Sequence, residues 1–199
     1  MSAPPHSQLR VGVIGAGPTG RGIAAAFARA GARVAVFDPD PDPLSVVALR
    51  VALELDALGA DPAAARSVSP VDMVRSAAAG ADLVFEAAPE DLATKRGICA
   101  TLGLLAPDAI VATATERLPI AEIATATARP GRLLGTHWWD SVAGTGPVEV
   151  VAAPRTDPAV AERLEALLED AGKSVVRLVG DRAHPPTGWA TARSAERAP

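Results

Sequence analysis

The chain has 199 residues, of which 49% are apolar and 3% aromatic, and its formal net charge is −4. This length suits one domain with tails and is enough to bury a core. The negative charge argues against partners held by attraction to nucleic acid or to an anionic membrane. A single cysteine, Cys99, excludes an intrachain disulfide and fits a reducing, cytoplasmic location.

Targeting, membrane and metal signals are weak in this sequence. The first eight residues are polar and proline-rich, so we expect no signal peptide. No apolar run approaches the roughly 20 residues that a membrane-spanning helix needs. The three histidines lack the spacing of zinc ligands, so no metal site is predicted.

The first predicted unit is a strand, a glycine-rich turn, a helix and a second strand. An apolar run at 11–14 leads into the turn GAGPTG, a helical pattern follows, and a second apolar run at 34–37 ends at an aspartate. This order is typical of a dinucleotide-binding unit. The candidate cofactor-binding residues here are Gly15, Gly17, Pro18, Thr19, Gly20 and Asp38.

Each glycine of the turn has its own predicted role. Gly15 permits the tight turn, Gly17 lets the backbone approach a pyrophosphate, and Gly20 lets the helix pack close to the sheet. The free N–H groups of the helix N-terminus then favour phosphate. Asp38 is placed to accept hydrogen bonds from a ribose, which favours NAD over NADP. A glycine turn without a ligand, and a site for FAD, are the alternatives.

The remaining pattern alternates strands and helices. Pro39–Pro43 is interpreted as a non-helical linker, Ala60–Ser67 as a loop, and Ser69-Pro70 as the start of a short helix. Other helices are predicted at Leu44–Leu58, Glu90–Leu105, Pro119–Thr127 and Pro158–Ala171. Other strands are predicted at Ala81–Ala87, Ile110–Thr113, Arg132–Thr136, Val148–Val151 and Ser174–Val179.

This alternation predicts one α/β domain over residues 9–180, with a doubly wound, mostly parallel sheet of the Rossmann type. Residues 1–8 are expected to be a flexible tail. Residues 181–199 are rich in proline, arginine and alanine, and are expected to be disordered.

Five ordered motifs resemble the NAD-binding domain of the L-3-hydroxyacyl-CoA dehydrogenases. They are VGVIGAGPTGRGIA with its aspartate, ADLVFEAAPEDLATK, IVATATERLPIAEIA, RPGRLLGTHWW and PVEVV. The resemblance covers about residues 9–180 and favours NAD over FAD. It implies hydride transfer between NAD and a 3-hydroxyacyl or related 3-hydroxyacid substrate, in fatty acid metabolism.

The resemblance also implies roles for individual residues. Glu90 and Lys95 match an acid and a lysine that contact the cofactor; a surface pair at a helix start is the alternative. His137 matches the catalytic base, and Glu149, twelve residues later, matches the glutamate that orients it. An imidazole titrates near neutral pH and can take the proton of an alcohol. A purely structural histidine is the alternative.

The departures from the family cluster on the substrate side. Glu116 replaces a serine that touches substrate and cofactor, and Asp140 replaces an asparagine; both are expected near the nicotinamide and are candidate cofactor-binding residues. Ala192 replaces a substrate-binding asparagine. Glu116 and Asp140 would repel an anionic thioester and favour a hydroxylated or amine-bearing substrate; drift in an inactive site explains them equally well. Of Trp138 and Trp139, one is expected in the core and the other beside the site.

The family's helical C-terminal domain and its lysine-rich arm have no counterpart in these 199 residues. Three hypotheses follow. The chain is an NAD-dependent dehydrogenase that completes its site as a homodimer or with a helical partner chain. Alternatively, it is a catalytically impaired NAD-binding module or subunit of a larger assembly. The third hypothesis is a non-functional fragment.

Overall fold

The computed structural model describes residues 9–139 and 142–178. Within them the strands are β1 (Arg10–Ile14), β2 (Arg33–Phe37), β3 (Val68–Pro70), β4 (Leu83–Glu86), β5 (Ile110–Ala114), β6 (Leu133–Trp138), β7 (Pro147–Ala152) and β8 (Ser174–Leu178). They form one sheet in the order β3-β2-β1-β4-β5-β6-β7-β8. The tails predicted at 1–8 and 181–199 lie outside the described residues.

The helices are α1 (Pro18–Arg29), α2 (Pro41–Ser45), α3 (Val47–Ala57), α4 (Val74–Ala78), α5 (Leu92–Leu105), α6 (Ile120–Ala124) and α7 (Pro158–Asp170). Short 3-10 turns lie at Pro62–Ser67 and Pro130–Arg132. None of the helices in the described ranges has the length and apolar character that crossing a bilayer requires.

The central strands are buried on both faces, which explains their nearly continuous apolar sequences. Every residue of β4 and β5 is buried. Phe27 of α1 packs against Phe85 of β4 on one face, with ring centroids 5.3 Å apart. Cys99 lies in the core of the other face, and burial raises the pKa of its thiol. The doubly wound prediction is confirmed.

Two local predictions around prolines are wrong. Pro39–Pro43 is not a non-helical linker, because Asp40 caps a short helix whose first residue is Pro41, and the Asp40 carboxylate accepts the N–H of Asp42 at 3.0 Å. Ser69-Pro70 does not begin a helix. It ends the edge strand β3, a position where the missing N–H of proline is tolerated.

Strand direction places the site. Strands β1, β4, β5 and β6 are parallel neighbours, so their carboxyl ends meet at one edge of the sheet. Strand β7 runs antiparallel to β6, and β8 runs parallel to β7. The reversal brings the beginning of β7 to the edge where β6 ends. Parallel open sheets bind ligands at this edge.

Candidate active site and cofactor cleft

The three glycines of the turn between β1 and α1 are needed for different steric reasons. Gly15 has φ +113°, and a Cβ there would lie 2.5 Å from the carbonyl oxygen of Ala87. A Cβ on Gly20 would lie 1.9 Å from the carbonyl oxygen of Gly15. A Cβ on Gly17 would meet no atom within 4 Å. Gly15 and Gly20 therefore serve the fold, whereas Gly17 faces open space that a ligand can approach.

Within the described ranges, no side chain caps the N-terminus of α1. Gly17 is the N-cap residue, and Pro18 follows in the first turn. Asp38 lies beside this turn, because its carboxylate accepts the N–H of Ala16 at 2.6 Å. The uncapped N–H groups fit the pyrophosphate of a dinucleotide. The neighbouring Asp38 carboxylate fits its ribose.

A cleft of about 750 Å³ runs from this turn along the carboxyl edge of the sheet. The predicted residues that line it are Gly15, Gly17, Pro18, Thr19, Asp38, Glu90, Glu116 and His137. Gly20 lies beneath the turn instead of lining the cleft. The structure thus brings seven of the predicted cofactor residues and the predicted base together along one surface.

Glu90 organises the loop that follows β5. One carboxylate oxygen accepts the hydroxyl of Thr115 at 2.6 Å and the N–H groups of Glu116 at 3.0 Å and Arg117 at 2.9 Å. Partial burial alone would raise the pKa of Glu90, but these hydrogen bonds outweigh it and hold the pKa below its usual range. Sequence reasoning missed Thr115, whose hydroxyl also accepts the N–H of Leu118.

Lys95 is fully buried, so the interpretation of a surface pair is wrong. Its ammonium donates to both carboxylate oxygens of Glu86 at 3.1 Å, to the carbonyl of Ala88 at 3.0 Å and to that of Ala114 at 2.7 Å. Lys95 does not line the cleft, whereas Ala88 and Ala114 do. The structure therefore brings Lys95 beneath the cofactor cleft, not into it.

Glu86 is the main residue that sequence reasoning missed, because it ends an apolar run that was interpreted only as a buried strand. It accepts the hydroxyl of Thr113 at 2.5 Å and the N–H of Ala88 at 2.7 Å. Burial raises the pKa of the Glu86 carboxyl, and the Lys95 ammonium opposes that rise. A charged residue at the end of a buried strand, nine positions before a lysine, is the signal that could have found this pair.

His137 and Glu149 lie directly opposite each other on β6 and β7. His137 Nδ1 is 3.1 Å from Glu149 Oε2, and the Glu149 side chain is fully buried. Glu149 Oε1 has no hydrogen-bond partner among the described residues. A buried carboxylate on Nδ1 fixes the tautomer and stabilises an imidazolium, which is what an acid/base histidine requires.

The two tryptophans occupy the expected kinds of position. Trp138 is buried against Phe85 at 5.6 Å between ring centroids, and its indole N–H donates to Thr136 at 3.1 Å. Trp139 is half-buried and meets the His137 ring edge-on, with centroids 4.8 Å apart. Glu116 is exposed at the cleft, while Asp140 and Ala192 lie outside the described residues.

The loop between β6 and β7 has an anchor that sequence reasoning also missed. The buried ammonium of Lys173 donates to the carbonyls of Val142 and Gly144. Burial, and then the nearby Arg29, lower the pKa of Lys173 to about 8. Val142 packs where Gly22 of α1 has no side chain; a Cβ there would lie 2.5 Å from the Cβ of Val142. The loop beside the histidine is thus packed onto the helix of the glycine turn.

Comparison with known proteins extends these observations. Residues 10–182 match the family model described as 3-hydroxyacyl-CoA dehydrogenase, NAD binding domain. A 3-hydroxybutyryl-CoA dehydrogenase of Mycobacterium tuberculosis is 37% identical over 187 residues, covering 84% of this chain and 62% of that protein. An L-carnitine dehydrogenase of Streptomyces griseus is 34% identical over 181 residues, covering 87% of this chain and 53% of that protein.

The fold matches as well. The crystal structure of FadB2 from M. tuberculosis aligns with a TM-score of 0.80 and 36% identity, covering 87% of this chain and 64% of that one. The chain thus spans less than two thirds of the length of these relatives. A cleft that fits a dinucleotide and a family model that covers most of the chain lead to the same conclusion. The chain belongs to the 3-hydroxyacyl-CoA dehydrogenase family, of which it carries the NAD-binding domain, and its cofactor is NAD.

Proposed function

We propose that this chain supplies the NAD-binding half and the acid/base pair of a dehydrogenase acting on a 3-hydroxyacyl thioester or a related 3-hydroxyacid. The observation that carries the proposal is the His137–Glu149 pair at the end of the cleft that the glycine turn begins. The M. tuberculosis relative is named for 3-hydroxybutyryl-CoA, which makes that thioester the first substrate to test.

In the proposed reaction the alcohol loses one proton from its hydroxyl and one hydride from its carbon. His137 Nε2 takes the hydroxyl proton of the alcohol as the carbonyl forms, and Glu149 stabilises the imidazolium through Nδ1. Bound NAD supplies the acceptor for the hydride that leaves the same carbon. In the reverse direction His137 returns the proton to the new alkoxide. The glycine turn, Asp38 and Glu90 bind and orient the cofactor in this scheme.

The reacting end of the cleft needs a cover that excludes water from the hydride transfer. His137 lines the open cleft and its side chain is partly exposed. We propose that a helical domain, or a second copy of the chain, covers this end of the cleft and completes the site. Light scattering of the purified chain, alone and with a separately produced helical domain, measures this assembly directly.

The test measures NADH formation from NAD and 3-hydroxybutyryl-CoA. Wild type and His137→Gln are each assayed alone and then together with the separately produced helical domain. The variant should lower kcat by about 10²–10⁴-fold and leave NAD binding unchanged, because glutamine keeps the shape but cannot take a proton at neutral pH. Arg96→Gln, on the exposed side of α5, is the control and should keep full activity.

Three results would contradict this function. An unchanged rate in His137→Gln would remove the acid/base assignment. The absence of turnover across a panel of 3-hydroxyacyl thioesters and hydroxyacids, with NAD bound and the helical domain present, would favour a catalytically impaired NAD-binding module or subunit. Failure to bind NAD would remove both functions.

A substrate that carries a positive charge is a second candidate. Glu116 lines the cleft that contains His137, and its exposed carboxylate forms no hydrogen bond or ion pair with the described residues. A relative at 34% identity is named L-carnitine dehydrogenase, and carnitine carries a trimethylammonium group. Glu116→Ser should lower kcat/KM for L-carnitine and raise it for 3-hydroxybutyryl-CoA. Parallel changes for both substrates would exclude charge selection by Glu116.

A further inference from the structure

We propose that Glu86 and Lys95 are a pair of positioning residues that hold the floor of the cofactor cleft at its nicotinamide end. The pair is fully buried and joined by two contacts of 3.1 Å between Nζ and the carboxylate oxygens. The inference rests on NAD binding and does not require the proposed reaction.

The first step concerns what the ammonium holds. Besides the carboxylate, Lys95 donates to the carbonyl oxygens of Ala88 at 3.0 Å and Ala114 at 2.7 Å. Ala88 lies in the loop after β4, and Ala114 is the last residue of β5. Both residues line the cleft. One buried ammonium thus fixes the backbone of two neighbouring segments of the cleft.

Glu86 fixes the same two segments from the other side. Its carboxylate accepts the N–H of Ala88 at 2.7 Å and the hydroxyl of Thr113 at 2.5 Å, one residue before Ala114. A buried ionic group is retained without a large cost only when its hydrogen bonds are satisfied. The pair meets this condition by bonding to the loop and the strand end that form the cleft floor.

Strand order shows which half of the cofactor this floor supports. Along the carboxyl edge, Asp38 follows β2, the glycine turn follows β1, and His137 lies on β6. The span from β2 to β6 is four strand spacings of about 4.8 Å, or roughly 19 Å. Ala88 follows β4, and Ala114 is the last residue of β5. Both strands lie between the glycine turn and the histidine. The pair therefore lies under the half of NAD that carries the nicotinamide.

This placement separates a positioning role from general support of the fold. Loss of the pair should displace the floor at Ala88 and Ala114 and leave Asp38 and the glycine turn in place. Affinity for NAD should then fall, while affinity for ADP, which occupies only the Asp38 and glycine-turn half, should not. A pair that only stabilised the fold would give equal losses for the two ligands.

The experiment is calorimetric titration of NAD and of ADP into wild type, Lys95→Met, Glu86→Gln and the double variant. Each single variant should weaken NAD binding by at least about tenfold and ADP binding by less than about twofold, because each leaves one buried charge without its partner. The double variant, with no buried charge, should lose less NAD affinity than the sum of the single losses predicts.

The control removes an exposed ion pair from the same helix. Arg96 and Glu122 are 3.3 Å apart and both exposed, so Arg96→Met and Glu122→Gln should bind both ligands as wild type does. If a single variant does not fold, the double variant decides the result alone. Wild-type NAD affinity in the double variant, or equal losses for NAD and ADP, would overturn the proposal.

Discussion

Glu86 and Glu149 are two fully buried carboxylates at the same edge of the sheet, and their surroundings differ. Glu86 lies in the cofactor half and accepts hydrogen bonds from Lys95, Ala88 and Thr113. Glu149 lies at the reacting end, where His137 is 3.1 Å from one oxygen, and its other oxygen has no partner among the described residues.

The contrast shows two uses of a buried charge. In the Glu86 cluster the Lys95 ammonium already donates to the carboxylate and to two backbone carbonyls, so the backbone around it is fixed before any ligand arrives. At Glu149 one carboxylate oxygen lies against His137, and the other has no partner among the described residues. The Glu86 carboxylate is thus saturated with hydrogen bonds, whereas the Glu149 carboxylate keeps one oxygen without a partner among the described residues.

The largest expected effect is on Glu149. Glu149→Gln should lower kcat by about 10³-fold, because the neutral amide can no longer stabilise the imidazolium or select its tautomer. NAD affinity should stay within about twofold of wild type, since Glu149 lies outside the cofactor half. Steady-state kinetics and calorimetry measure both. Glu122→Gln, at an exposed glutamate, is the control. If Glu149→Gln lowered NAD affinity as much as it lowered kcat, Glu149 would also serve cofactor binding, and the contrast with Glu86 would fail.

The next effect is on folding of the glycine turn. Gly20→Ala should lower the free energy of unfolding by about 3 kcal/mol, because its Cβ would lie 1.9 Å from the Gly15 carbonyl oxygen. Gly97→Ala on α5, where a Cβ meets nothing within 4 Å, should instead raise it by about 1 kcal/mol. Urea titration compares the two. Equal effects at the two glycines would contradict the role of close packing at Gly20.

Gly17→Ala should act on the ligand and not on the fold. Its Cβ would point into open space, so stability should change by less than about 1 kcal/mol. NAD affinity should fall by about tenfold or more, because the new methyl group occupies the approach of the pyrophosphate. Calorimetric titration measures the affinity and thermal denaturation measures the stability. Unchanged affinity would show that the phosphates bind elsewhere in the cleft.

The smallest effect concerns pH and the loop next to His137. The pKa of Lys173 is about 8 in the folded chain against an ordinary value of 10.5. Between these values the unfolded chain binds the proton and the folded chain does not. The free energy of unfolding should therefore rise as pH increases through this window, by about 1 kcal/mol after solvent screening. In Lys173→Met this rise should be absent, and urea titrations at several pH values will show whether it is.

Much of the fold could be predicted, because apolar runs and helical spacing are visible in short stretches of sequence. The strand at 83–86 and the helix at 92–105 both lie within their predicted ranges. The predictions around the prolines at 41 and 70 were wrong because proline is compatible with helix starts, linkers and edge strands alike. Only tertiary pairing decided between those states.

The candidate site was predictable in its members but not in its geometry. The glycine turn is encoded locally, so Gly15, Gly17 and Gly20 could be assigned separate roles in advance. The antiparallel direction of β7, which sets Glu149 against His137, depends on pairing between strands that no local pattern specifies. The Glu86–Lys95 cluster was missed for a similar reason, since β4, β5 and α5, which form it, meet only in the folded chain.

The reversal of β7 also has a consequence for folding. His137 and Glu149 are 12 residues apart and belong to neighbouring antiparallel strands, so their contact closes a short loop. The turn at Gly15 packs against Ala87, 72 positions later in the numbering. By loop-closure entropy the longer contact costs about 1.6 kcal/mol more to form. The His137–Glu149 contact therefore lies within one short segment, whereas the cofactor cleft needs contacts between distant parts of the chain.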